Sequence, residues 1–229
     1  MGNYKKMSFY EAERRIRAYH EAVHAVIGYK LGFKIKRIAF KQGGQHDGTI
    51  EFDIDSDLEN VTNRHPKPKR EEVERYMTMV AAGGIGNLIA LPIDASLILN
   101  TCATGKSDRE QLRHFASQTS AKPSDKKCRF EYIEHAKKRA WVLIQKPQIM
   151  YAVECLAEKM LTGCEILDGV EAEALIGKAL SSMCPPVNTI SNKIYDLYEL
   201  GKWCAEDDEG KSGTSALQVY FQYKGIMLV

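Results

Sequence analysis

Residues 18 to 28 read Ala-Tyr-His-Glu-Ala-Val-His-Ala-Val-Ile-Gly and hold the pattern H-E-x-x-H. Residues four apart share a face of an α-helix, so His20 and His24 can grip one ion from the same side. Glu21 sits one step round and can reach a water on that ion rather than the ion itself. The context is helical. Ser8 and Glu11 form a capping box, helix formers follow, and Gly32 stands where a helix commonly ends. Ile16, His20, Val23, Ile27 and Leu31 recur at steps of three and four, so both histidines belong to the stripe that faces the core. Two imidazoles beside a glutamate on a buried face are costly to satisfy with backbone hydrogen bonds alone, and a bound metal resolves that cost. The pattern is that of a zinc peptidase.

Composition sets the frame. The chain of 229 residues accommodates one full domain, or one domain with an appendage. Its 44% apolar fraction supports a real core, and a net charge of +2 gives no bulk drive toward nucleic acid or an anionic membrane. Cys102, Cys128, Cys155, Cys164, Cys184 and Cys204 are scattered, with no C-x-x-C, which argues against a cysteine zinc site and against a disulfide scaffold. Reduced thiols in a cytoplasmic protein are the simpler account, and residues 1 to 7 are polar, without an apolar signal core. Tyr76 to Ile93 is uncharged for 18 residues, long enough that a membrane span must be weighed. Thr78, Gly83, Gly84, Gly86, Asn87 and Pro92 within it favour a buried core helix whose glycines let another element approach.

Along the chain, Ile38 and Phe40, then Ile50, Phe52 and Ile54, alternate with polar neighbours around Gly43-Gly44 and predict a hairpin. One edge of that small sheet is suited to pair with an extended peptide, and the sequence does not choose which. Asp55 to Arg70, with Pro66 and Pro68, reads as a loop, and its Lys67-Pro68-Lys69-Arg70 run as solvated surface. A helix follows from about Glu71 to near Pro92. Thr104-Gly105-Lys106-Ser107 resembles the end of a phosphate-binding loop, but Asn100 stands where the first glycine belongs and no clear strand leads in, so nucleotide binding is rejected. Ser107 and Glu110 instead make a second capping box, opening a helix with Leu112, Phe115 and Thr119 on one face. Asp108 lies in its first turn, where it can simply complement the helix dipole. Helices are expected over 130–146 and 148–161, separated by Pro147, then over 168–183, with a short one over 190–200. Residues 205–215 read as a linker, and Leu217 to Tyr223 has strand-like composition.

With these stretches in view, the chain resembles the proteolytic domain of the FtsH family, the membrane-anchored ATP-dependent zinc proteases. The family's Y-H-E-A-G-H-A run is similar to Tyr19-His20-Glu21-Ala22-Val23-His24-Ala25, and its Gly-Gly pair to Gly83-Gly84. Its T-G-A-x-N-D-L-x-Q-A stretch is similar to residues 104 to 111, and its E-T-L-D-G-x-E segment to Glu165-Ile166-Leu167-Asp168-Gly169-Val170-Glu171. Order and rough spacing agree from about Tyr19 to Leu180. The resemblance implies that Asp108 is the third zinc ligand with His20 and His24, leaving a fourth position for water. Glu71, Glu72, Asp94 and His114 are the other candidates. There are departures: Val23 replaces the motif's glycine, Ile85 replaces the arginine after the glycine pair, a nearby acidic residue is missing, and Ser107 replaces the asparagine before the aspartate. No ATPase module or membrane anchor is present in the sequence.

The expectation is a mainly α zinc metallopeptidase domain over 1–184, with a small β-sheet or hairpin beside the active-site helix, and a C-terminal extension over 185–229. Zinc would be held by His20, His24 and Asp108, with Glu21 as general base. The expected substrate is flexible or unfolded polypeptide, cut without ATP. A homo-oligomer and a separate ATPase are the candidate partners; nucleic acid and a membrane span are not expected. The alternative is a non-catalytic FtsH-like zinc-binding protein, or a peptidase subunit that works with that ATPase.

Overall fold

The computed structural model describes residues 9–40, 48–53, 70–90, 106–119, 122, 124–163 and 165–182. Within them the protein is mainly helical with one three-stranded antiparallel sheet, as expected. The turn at Gly43-Gly44, Ile54, the loop up to Lys69, Asp94, the segments 190–200 and 205–215, and the strand-like Leu217 to Tyr223 all lie outside the described residues.

Helix α1 (Phe9–Lys30) is the axis of the fold, packed against α2 and α5 and flanked by the sheet. Surrounded in this way, it buries more than one stripe: Ala18, Tyr19, Ala22, Val23, Ala25, Val26 and Ile27 are all in the core. Gly32 ends it in the left-handed region at φ 88°. There Phe33 N–H donates to the Gly28 carbonyl and Gly32 N–H to that of Tyr29, so two orphan carbonyls of the last turn are satisfied.

Strands β1 (Ile35–Phe40) and β2 (Gly48–Phe52) form the expected hairpin, with Ile38 opposite Ile50 and Phe40 opposite Gly48. A third strand, β3 (Ile166–Asp168), joins the free side of β1 and gives the order β2-β1-β3. The sequence reading did not anticipate it. Leu167 alone of its three residues is buried, and one inward side chain makes no alternation to read.

The uncharged stretch is helix α2 (Arg70–Ala90), buried in the core against α1, and among the described residues no helix is long and apolar enough to cross a membrane. Helix α3 (Lys106–Thr119) starts one residue before Ser107, which therefore lies in its first turn rather than at the cap. Its buried face carries Leu112, Phe115 and Ala116. Helix α4 (Lys126–Ile144) begins four residues earlier than the sequence suggested, because Asp125 caps it by accepting from the N–H groups of Lys127 and Cys128. Pro147 opens helix α5 (Pro147–Leu161) instead of merely separating two helices, since a proline at the first position loses no intrahelical bond. Helix α6 (Gly169–Ser181) is capped by Asp168, which accepts from Glu171 N–H, so Asp168 is the cap and not the first helical residue.

Candidate metal centre

Three helices meet at the centre. Helix α1 supplies His20 and His24, one turn apart and both buried. Helix α2 crosses them so closely that a side chain has no room at two positions. A Cβ on Gly83 would run into His24 Nε2 and come within 2.7 Å of His20 Cε1. A Cβ on Gly86 would stand 2.5 Å from the Tyr19 carbonyl oxygen and 2.8 Å from His20 Cα. Gly84, by contrast, is exposed and faces open space, so the close approach belongs to Gly83 and Gly86 rather than to the adjacent pair. Helix α3 brings Asp108 in its first turn, half-buried.

The donor atoms form a small triangle. Asp108 Oδ2 lies 3.1 Å from His20 Nε2 and 3.3 Å from His24 Nε2, and the two Nε2 atoms are 3.2 Å apart. The outer ring nitrogens are fixed by acceptors on α2. His24 Nδ1 donates to the Met79 carbonyl at 2.9 Å, and His20 Nδ1 to Asn87 Oδ1 at 3.1 Å. With each Nδ1 carrying the proton, a neutral imidazole presents a bare lone pair at Nε2. Two lone pairs and a carboxylate oxygen then face one another in a buried space, an arrangement that calls for positive charge at its centre. Among the described residues, His20, His24 and Asp108 are the group of such side chains that could hold a metal ion.

The titration of these groups follows from the same geometry. Burial disfavours an imidazolium at His24, but the hydrogen bond and charge of Asp108, with Glu21 and the Met79 carbonyl, outweigh it and push the pKa up to about 9. Burial also opposes the Asp108 carboxylate, yet the two histidines hold it well below the usual carboxylate range. Glu21 responds differently: burial pushes its carboxyl up, the two histidines counter this only partly, and Asp108 adds to it.

Glu21 lies against the sheet. A Cβ on Gly48, the first residue of β2, would stand 2.7 Å from Glu21 Cγ and 2.8 Å from its Oε1. Among the described residues the strand order leaves β2 at the edge, so an outer strand begins beside this carboxyl.

Of the other candidates, Glu71 and Glu72 precede Met79 by seven or eight residues, about 11–12 Å along α2. His114 is exposed, six residues or about 9 Å along α3 from Asp108. Asp94 lies outside the described residues. Two contributors were missed in the sequence. The Met79 carbonyl is backbone and leaves no sequence signal, whereas Asn87 does leave one, as an amide in an otherwise apolar run. Val23 and Ile85, where the sequence departs from the FtsH pattern, are both buried in the core. No protein-family model matches the chain, and no curated protein matches it.

Proposed function

We propose that the protein is a zinc-dependent endopeptidase of the FtsH type, acting on flexible or unfolded polypeptide without ATP. The observation that carries this reading is the triangle of His20 Nε2, His24 Nε2 and Asp108 Oδ2, with edges of 3.1 to 3.3 Å and Glu21 alongside. Around a tetrahedral zinc with bonds of about 2.0–2.2 Å, neighbouring ligand atoms stand about 3.3–3.6 Å apart, so these donors need to open by only a few tenths of an ångström. Two imidazoles and one carboxylate are ordinary zinc donors, and three protein ligands leave the fourth position that a catalytic site needs. The resemblance of residues 19 to 180 to the FtsH proteolytic domain supports the same assignment.

Zinc held there supplies a Lewis acid that polarises the scissile carbonyl and acidifies the attacking water. The rest falls to the chain. Glu21 accepts the water's proton as the water attacks, then delivers it to the departing amine. A carboxyl raised by burial holds the proton it takes more firmly than an exposed one, which suits that double duty. Helix α2 places the Met79 carbonyl and the Asn87 amide oxygen against the outer ring nitrogens of His24 and His20. An extended substrate would add to β2 as a further strand, since β2 is an edge strand among the described residues and begins beside Glu21. Gly48 lets the backbone come close there. Cys128 and Cys155 are free thiols, which suits a cytoplasmic compartment. A homo-oligomer and a separate ATPase remain the partners that would extend this activity to folded substrates.

The test is cleavage of casein, an unstructured substrate, by zinc-loaded protein without ATP, comparing wild type with Glu21→Gln. Cleavage by wild type but not by the variant is expected. Stoichiometric zinc in both with cleavage by neither would replace this reading with that of a zinc-binding protein or of a subunit needing its ATPase.

A further inference from the structure

On α2, Met79, Gly83 and Asn87 recur every four residues and so form one row along the helix. The row meets the histidines in reverse order: Met79 accepts from His24, Gly83 clears both rings, and Asn87 accepts from His20. We propose that this row is the template that sets the metal-binding tautomer and angle of both imidazoles, and that Asn87 is its positioning residue for His20. The inference rests on the metal-binding reading of His20, His24 and Asp108.

The two ends of the row differ in kind. His24 is held by a main-chain carbonyl, which no substitution of Met79 can remove. His20 is held by a side chain, so its orientation depends on the residue at position 87. An imidazole without a partner at Nδ1 can carry its proton on either nitrogen and can rotate. With the proton on Nε2 it cannot bind a metal at that atom. The Asn87 oxygen removes both freedoms, because an amide oxygen can only accept. It does so with a neutral group, adding no charge to a centre that already holds Asp108 and Glu21. Gly86 contributes indirectly: with no Cβ there, α2 lies close enough to α1 for a side chain as short as asparagine to reach the ring.

The test compares wild type, Asn87→Ala and Asn87→Asp, with His20→Ala as the control that removes a ligand. Zinc affinity is read by competition with a chromophoric chelator, and the His20 tautomer by 15N NMR of the metal-free protein. Loss of an outer partner typically costs about 10- to 100-fold in metal affinity, so Asn87→Ala should weaken zinc by that factor. It should also leave His20 in mixed tautomers. Asn87→Asp keeps an acceptor in place and should restore both the affinity and the Nδ1–H tautomer, which a merely structural asparagine would not require. Affinity in Asn87→Ala equal to wild type, while His20→Ala loses zinc, overturns the role of Asn87 and leaves the metal centre standing. A wild type that holds no zinc overturns both. If Asn87→Ala does not fold, the His20 tautomer of metal-free wild type decides: the Nδ1–H form alone supports the role, and mixed tautomers or the Nε2–H form refute it.

Discussion

At His24 a proton and a bound metal ion would compete for one lone pair. The folded pKa, about 9, stands above the ordinary 6.5, because Asp108 more than offsets the cost of burial. The stability this linkage contributes is therefore fully present below pH 6.5 and is lost as pH rises through about 9. Metal-free protein should show a falling melting temperature across that window, and Asp108→Asn should flatten the slope by removing the charge behind it. Zinc requires the deprotonated Nε2, so the rise in melting temperature on adding zinc should grow over the same range. Calorimetry with and without zinc at several pH values checks both statements. Three of the four residues at this centre were legible in the sequence. His20 and His24 lie one helical turn apart, where spacing alone fixes their common face, and Glu21 follows one step round. Asp108 was not legible in that way, because an acid in a first helical turn is equally well explained by the dipole. The resemblance pointed to it, and the structure brings it to the histidines.

Helix crossings explain more of the site than helix identities do. Gly83→Ala should abolish stoichiometric zinc binding, since its Cβ would occupy the space of the His24 ring nitrogen. Gly84→Ala, exposed and with nothing within 4 Å of the added atom, should keep zinc and melt at the same temperature or higher, alanine being the better helix former. Equal zinc content in the two variants would contradict the close approach of α2 to α1. The cap of α4 is a separate matter of stability. Asp125→Ala should cost about 1 kcal/mol in denaturant melts without touching zinc affinity. The major helices and the hairpin were readable because their periodicities run for many residues. What escaped was short or positional: β3 is only three residues long, the early start of α4 depends on the geometry of one aspartate, and of the glycines 83, 84 and 86 the crossing of α2 decides that 83 and 86 meet α1. Adjacent glycines catch the eye in a sequence, but a helix face is written every three or four residues.

Across the whole molecule, the described residues form a mainly helical body around α1, and the proposed endopeptidase would act on chains that are already unfolded. The expected specificity follows. Casein or a permanently unfolded variant should be cut, whereas the same polypeptide folded and stable should survive without ATP; comparable rates on both, followed by gel electrophoresis, would contradict it. The long reach of the metal centre has a further consequence for the fold itself. Asp108 is 84 residues from His24 along the chain, and α3 also packs on α2 and α4 through its buried face and makes the Tyr76–Gln111 hydrogen bond. An ion shared by α1 and α3 is thus a clasp on a long loop, closing in the folded chain a circuit that the unfolded chain closes only at considerable entropic cost. Chelation should release that clasp first at α3. Amide protons of residues 106 to 119 would then exchange sooner than those of α1, and the domain would open from the α3 side.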